Sequence, residues 1–97
     1  MQVIDGMPTP PVTMFVTASC GYCRRAERLL DAKGVAYEKI DVTDDDQARD
    51  DLISRTRWRT VPVIFVRGKL VGGYDELAAL NRSGELDRLL AAEEPAG

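Results

Sequence analysis

Histidine is absent from the 97 residues. With it go Cys-His nucleophile pairs, imidazole general bases and mixed Cys/His zinc sites built within one chain. Cysteine is nearly as scarce, since only Cys20 and Cys23 occur, and without a second pair the four ligands of a zinc ribbon cannot be completed. No run approaches the ~18 apolar residues of a membrane span. The start, Met1-Gln2-Val3-Ile4-Asp5-Gly6, lacks the basic and apolar regions of an export signal. The chain therefore reads as cytoplasmic, with no membrane partner. A basic excess is missing too: 13 Lys and Arg against 16 Asp and Glu leave a net charge of -3, which argues against a nucleic-acid partner. There is no internal repeat and no low-complexity segment.

What is present, 44% hydrophobic and 30% charged residues, is the composition of one globular domain, and nothing in it demands more than a monomer. A chain of this size buries roughly two-thirds of the surface its unfolded form exposes, so its core needs neither metal nor disulfide. The two cysteines are free for chemistry. In a reducing compartment a closely spaced thiol pair serves catalysis better than cross-linking, because closing so short a loop gains little.

Pro8, Pro10 and Pro11 prevent residues 1–11 from continuing a helix or donating to a ladder, so that stretch is expected to be an extended arm. Val12 to Val16 has the pattern of a strand covered on both faces. From Tyr22 to Lys33, Tyr22, Ala26, Leu29 and Leu30 recur at helical spacing, and Gly34 offers a left-handed stop. Val35 to Val42 reads as a second strand. Thr43-Asp44-Asp45-Asp46 then offers a cap and three carboxylates to a helix carrying Ala48, Leu52 and Ile53 inward and ending near Thr56. Val63 to Val66 and Lys69 to Val71 form a hairpin about Arg67-Gly68, and Gly72-Gly73 breaks the ladder. Asp75 to Asn81 and Glu85 to Ala92 read as closing helices, and residues 93–97 should fray. This order predicts an α/β domain over residues 12–92, a four-stranded mixed sheet flanked by helices on both faces. Its first strand delivers the cysteine pair to the edge where open α/β sheets carry their sites.

A thiolate, not a thiol, attacks a disulfide. At a helix start the free N–H groups of Tyr22 and Cys23 can point at the Cys20 sulfur, and Arg24 and Arg25 add positive charge or simply face water. Cys23, one turn further in, has fewer free donors and more neighbours to bury it. Cys20 is therefore assigned as nucleophile and Cys23 as resolving thiol.

Three landmarks follow in order: Cys20-Gly21-Tyr22-Cys23 after a strand, Thr60-Val61-Pro62 before one, and Gly72-Gly73-Tyr74-Asp75 after a hairpin. Together they resemble the glutaredoxins from about Val12 to Leu90, in particular small bacterial glutaredoxins. The resemblance implies a thioredoxin-like fold and reduction of glutathione mixed disulfides and protein disulfides, with glutathione as reductant and glutathionylated or disulfide-bonded proteins as partners. It implies a cis Val61-Pro62 bond, with Thr60, Val61 and Pro62 beside the ligand. Tyr22 would flank the tripeptide, while Gly73, Tyr74 and Asp75 would hold its γ-glutamyl end, and Arg49 would reach its glycyl carboxylate. Arg55, Arg57 and Arg59 either form a positive rim by the thiol or sit on a solvated turn, and Trp58 is expected to pack.

Two positions depart from the family pattern. Thr17 stands where many glutaredoxins have a glutathione-contacting lysine, which implies weaker thiolate activation or ligand affinity. Gly21 replaces the common proline and loosens the helix start. Some glutaredoxins with glycine or serine there hold an iron-sulfur cluster across a dimer, using one nucleophilic thiol and one glutathione from each half. Cluster carriage is thus the alternative function, although the chain itself offers no metal site. A third reading is a redoxin served by mycothiol or thioredoxin reductase, since Cys-Gly-Tyr-Cys also occurs in mycoredoxins; the sequence around the diglycine favours glutathione.

Overall fold

A computed structural model describes residues 10–91. Apart from Pro10 and Pro11, the expected N-terminal arm lies outside the described residues, as do Ala92 and the expected frayed tail. The elements are β1 (Val12–Val16), α1 (Gly21–Ala32), β2 (Tyr37–Asp41), α2 (Asp46–Thr56), β3 (Val63–Val66), β4 (Lys69–Gly72), α3 (Tyr74–Ser83) and α4 (Glu85–Ala91). Strand order is β2-β1-β3-β4; β1 is parallel to β2 and antiparallel to β3, and β4 is antiparallel to β3. The parallel pair requires a crossover, and α1 supplies it. That connection brings the end of β1 and the start of α1 together at one sheet edge.

Alternate residues of β1, Val12, Met14 and Val16, are buried with Ile64 and Val66 against Ala26 and Leu30 of α1, Leu77 of α3 and Leu86 of α4. The opposite face has less cover. Thr13, Phe15 and Phe65 are half-buried, the two phenylalanine rings meet edge to face at 6.0 Å, and Leu52 of α2 covers only part of them. The double cover expected for β1 is therefore incomplete, because one helix packs on that face.

Most boundaries fall within two residues of expectation. Cys20 caps α1, Lys33 ends it, and Gly34 takes φ +71°. β2 is shorter at both ends than expected, yet the Val42 N–H still donates to the Val16 carbonyl at 2.9 Å. The cap of α2 is Asp45, whose carboxylate accepts from Ala48 N–H at 3.0 Å, not Thr43. Arg67 and Gly68 both have positive φ, +52° and +83°, the geometry of a two-residue hairpin turn matched to strand twist. Further along, Ile64 faces Gly72 while Phe65 faces Leu70. Val71 is thus an extra residue in β4, and this bulge, with Gly72 at φ +119°, turns the chain into α3.

Candidate active site

Cys20 is the N-cap of α1, in extended conformation (φ -108°, ψ 109°), and its Sγ accepts the Cys23 backbone N–H at 3.0 Å. This is one of the orphan donors of a helix start, and a sulfur bearing negative charge uses it best. The Cys20 thiol donates to the Val61 carbonyl at 3.6 Å, and the Val61-Pro62 bond is cis as expected. Cys23 differs in being 2% exposed. Burial, foremost, then the hydrogen bond to the Cys20 side chain and the negative charge of Cys20 and Glu27, push its thiol up to about 12, with the Thr17 backbone opposing. At neutral pH Cys23 keeps its proton. The half-buried Cys20 is the accessible sulfur.

Beside Val61 runs a groove of about 280 Å³ lined by Tyr22, Trp58, Thr60, Val61, Pro62, Gly73, Tyr74, Asp75 and Glu76. Seven of the residues named from sequence thus meet on one surface: Tyr22, Thr60, Val61, Pro62, Gly73, Tyr74 and Asp75. Tyr22 is 55% exposed; it stacks obliquely on Tyr74 at 6.3 Å and carries the Arg25 guanidinium 5.3 Å above its ring. Gly73 caps α3, and its N–H is bound by Glu76 Oε1 at 3.1 Å. Glycine has no side chain to return that bond, so only the Glu76 half of a capping box exists.

Two named residues lie elsewhere. Thr17 lines a separate hollow of about 390 Å³ with Cys20, Cys23, Arg24 and Arg28. Arg49 lines a small cavity of about 10 Å³ that shares Trp58, Thr60 and Val61 with the groove. The arginine rim does not form as a set. Arg55 pairs with Asp51 at 3.4 Å and lines the Phe15–Phe65 face, and Arg57 takes a left-handed turn at the end of α2, while Arg59 lies beside Arg49.

Sequence reasoning passed over two contributors. Glu76 was detectable as an acid three residues after a helix start, the pattern that binds a cap N–H. Thr43, read as a cap, instead accepts the Ala18 N–H at 2.8 Å on its hydroxyl, while its own N–H and hydroxyl donate to Asp41 at 2.8 and 2.5 Å. These bonds tie the loop before Cys20 to the end of β2 and hold the Asp41 carboxyl below its ordinary value. No local pattern signals a pairing across 25 residues.

A sequence profile of the glutaredoxin family matches residues 12–71. A glutaredoxin of Pseudomonas aeruginosa is 43% identical over 83 residues, covering 86% of this chain and 99% of that protein. Glutaredoxin 3 of Escherichia coli K12 is 38% identical over 79 residues, covering 81% and 95%. Among solved structures, a buckwheat glutaredoxin–glutathione complex superposes with a TM-score of 0.80 at 34% identity, covering 84% of this chain and 76% of that one. The glutaredoxin of Brucella melitensis gives 0.74 at 35%, covering 89% and 94%. With its cysteine pair at a helix start on a thioredoxin-like fold, the chain belongs to the glutaredoxin family of thiol-disulfide oxidoreductases.

Proposed function

We propose that the protein reduces mixed disulfides of glutathione, and disulfides of proteins, with glutathione as the electron donor. The observation that carries this reading is the position of Cys20: its sulfur meets a helix-start N–H on one side and the Val61 carbonyl, at the rim of the groove, on the other. The Cys20 thiolate attacks the glutathione sulfur of a mixed disulfide, forming Cys20-S-S-glutathione and releasing the substrate thiolate, which takes a proton. A second glutathione thiolate then attacks the bound glutathione sulfur, and glutathione disulfide leaves with Cys20 restored as thiolate. Each turnover thus oxidises one glutathione thiol and reduces one substrate sulfur, the other half of the glutathione disulfide having come from the substrate already at the disulfide level. For a protein disulfide, Cys20 forms a mixed disulfide with the protein and Cys23 resolves it, giving a Cys20-Cys23 disulfide that two glutathiones reduce. Cys23 must lose its proton at that step, and its burial makes this the slower branch.

Glutathione lies along Thr60-Val61-Pro62, flanked by Tyr22, with its γ-glutamyl carboxylate at the N–H groups of Tyr74 and Asp75 beside Gly73. A glutathione complex of the buckwheat relative supports this choice of ligand. Thr17 adjoins Cys20 in the neighbouring hollow and Arg49 adjoins Thr60 and Val61, so both flank this path from outside the groove itself.

The test is reduction of the mixed disulfide of glutathione and mercaptoethanol, coupled to glutathione reductase, in wild type, Cys20→Ser and Cys23→Ser. Activity lost with Cys20 and kept without Cys23 supports the reading. A wild type inactive with glutathione overturns it, and turns attention to cluster carriage or to another thiol donor.

A further inference from the structure

The back wall of the groove is the chain's single tryptophan. A Cβ built on Gly72 would stand 2.9 Å from Trp58 Cη2 and 3.1 Å from Cζ2, and one on Gly73 would stand 3.5 Å from Nε1. Carbon atoms rest about 3.5–4.0 Å apart, so the far edge of the indole fills the space where a side chain on Gly72 would sit. The ring's own approach is fixed from behind: the Trp58 N–H donates to Thr56 Oγ1 at 3.0 Å, and Arg57 turns the chain at φ +62°. The indole Nε1–H is buried, and it alone of the buried side-chain N and O atoms among the described residues has no hydrogen-bond partner. An unpaired buried donor is unfavourable, so hydrogen bonding does not account for the placement; shape does.

We propose that Trp58 is a positioning residue that sets specificity for the γ-glutamyl end of the ligand. Its indole braces the Gly72-Gly73 turn, holding the first N–H groups of α3, those of Tyr74 and Asp75, at the depth where the ligand carboxylate binds. The proposal rests on the glutathione reading above. It concerns binding only, since the groups that touch the Cys20 sulfur are Cys23 N–H and the Val61 carbonyl. Shortening the ring lets the turn relax into the vacated space and weakens the carboxylate subsite without altering the nucleophile.

Three proteins decide it: wild type, Trp58→Phe, whose shorter ring no longer reaches Gly72, and Trp58→Ala. Steady-state kinetics use the glutathione–mercaptoethanol disulfide, and the alkylation rate of Cys20 by iodoacetamide reports on a reagent too small to need the groove. The expected result is a KM that rises with the space vacated, reaching about tenfold in Trp58→Ala, with kcat and alkylation within about twofold of wild type. A KM unchanged in both variants overturns the proposal, as does an equal loss in kcat and alkylation, which marks a collapsed site. Should Trp58→Ala fail to fold, wild-type tryptophan emission titrated with S-methylglutathione remains decisive. A saturable change is expected, and constant emission with an active wild type overturns the bracing alone. A wild type inactive with the glutathione disulfide and unresponsive to S-methylglutathione refutes the glutathione reading itself.

Discussion

Two adjacent glycines should respond very unequally to the same methyl group. At Gly72, φ is +119°, a region closed to side-chain-bearing residues at a cost of about 1–3 kcal/mol. The new Cβ would also meet Trp58 Cη2 at 2.9 Å and the Glu76 side chain at 3.2 Å, adding an overpacking cost of about 1–3 kcal/mol. Gly73 is extended, at φ -104° and ψ -162°, and its Cβ would find neighbours no nearer than 3.5 Å, ordinary contact. Gly72→Ala should therefore lose about 2–6 kcal/mol, and Gly73→Ala should stay within about 0.5 kcal/mol of wild type. For a domain of this length the first value lowers Tm by at least about 8 °C. Thermal melts followed by circular dichroism, with urea midpoints as a cross-check, separate the two. A second arm isolates the steric part. In a Trp58→Phe background the overlap disappears while the backbone cost remains, so the loss caused by Gly72→Ala should shrink by about 1–2 kcal/mol. Equal losses at both glycines, or strict additivity with Trp58→Phe, would refute the packing argument.

Cys23 is raised from 9.0 to about 12 in the fold, so its contribution to stability is complete below pH 9 and is lost as pH rises toward 12. At about 1.4 kcal/mol per unit the loss reaches up to about 4 kcal/mol, and Cys23→Ala should lack that part of the alkaline decline in urea midpoint. Thr43→Val removes the bonds to Ala18 and Asp41. Its urea midpoint should lie below wild type at pH 7, and the gap should narrow as pH falls below 3.8, since stabilisation from a lowered carboxyl is present above its ordinary value and lost under acid. An unvarying gap between pH 7 and pH 3 would count against the Asp41 coupling. Asp75→Ala keeps the backbone N–H and removes only the side-chain carboxylate, the group able to pair with the γ-glutamyl ammonium, so KM for the glutathionylated substrate should rise several-fold with little change in kcat; an unaltered KM means that the Asp75 side chain takes no part in the subsite. Gly21 has open space about its Cβ position and stands at the first helical residue, where proline fits. Gly21→Pro should leave disulfide reduction within about twofold while suppressing any cluster formed on anaerobic reconstitution, and an identical visible spectrum in both proteins would sink the link between Gly21 and cluster binding.

Elements whose cause is local were legible in the sequence. The α1 periodicity, Gly34, the Arg67-Gly68 turn and the run Val63 to Val66 each carry their own signal, and the structure keeps them within two residues. Expectation failed where the deciding neighbour is distant. Thr43 had every local reason to cap a helix, yet the Ala18 N–H and Asp41 claim its polar groups and the cap passes to Asp45. Phe15 sits in a strand as apolar as a fully covered one, but whether a second helix would cover it is a property of topology that five residues cannot encode.

The same division explains the site. Cys20, Val61 and Gly73 are separated by long stretches of chain, and each is marked locally, by a thiol at a helix start, a proline before a strand and a glycine pair after one. Chain order plus one sheet topology brings these marks together, which is why seven named residues share the groove. Arg49 and Thr17 carried no local mark of their own and were assigned by resemblance, and those two fall outside it. Trp58 shows the converse. Between contact with protein substrates and packing, packing is the better reading of the sequence, and the ring does pack, against the Gly72-Gly73 turn. A side chain 14 residues upstream in sequence thereby limits which residue position 72 accepts, so glycine there reflects a neighbour's volume as well as its own backbone angle.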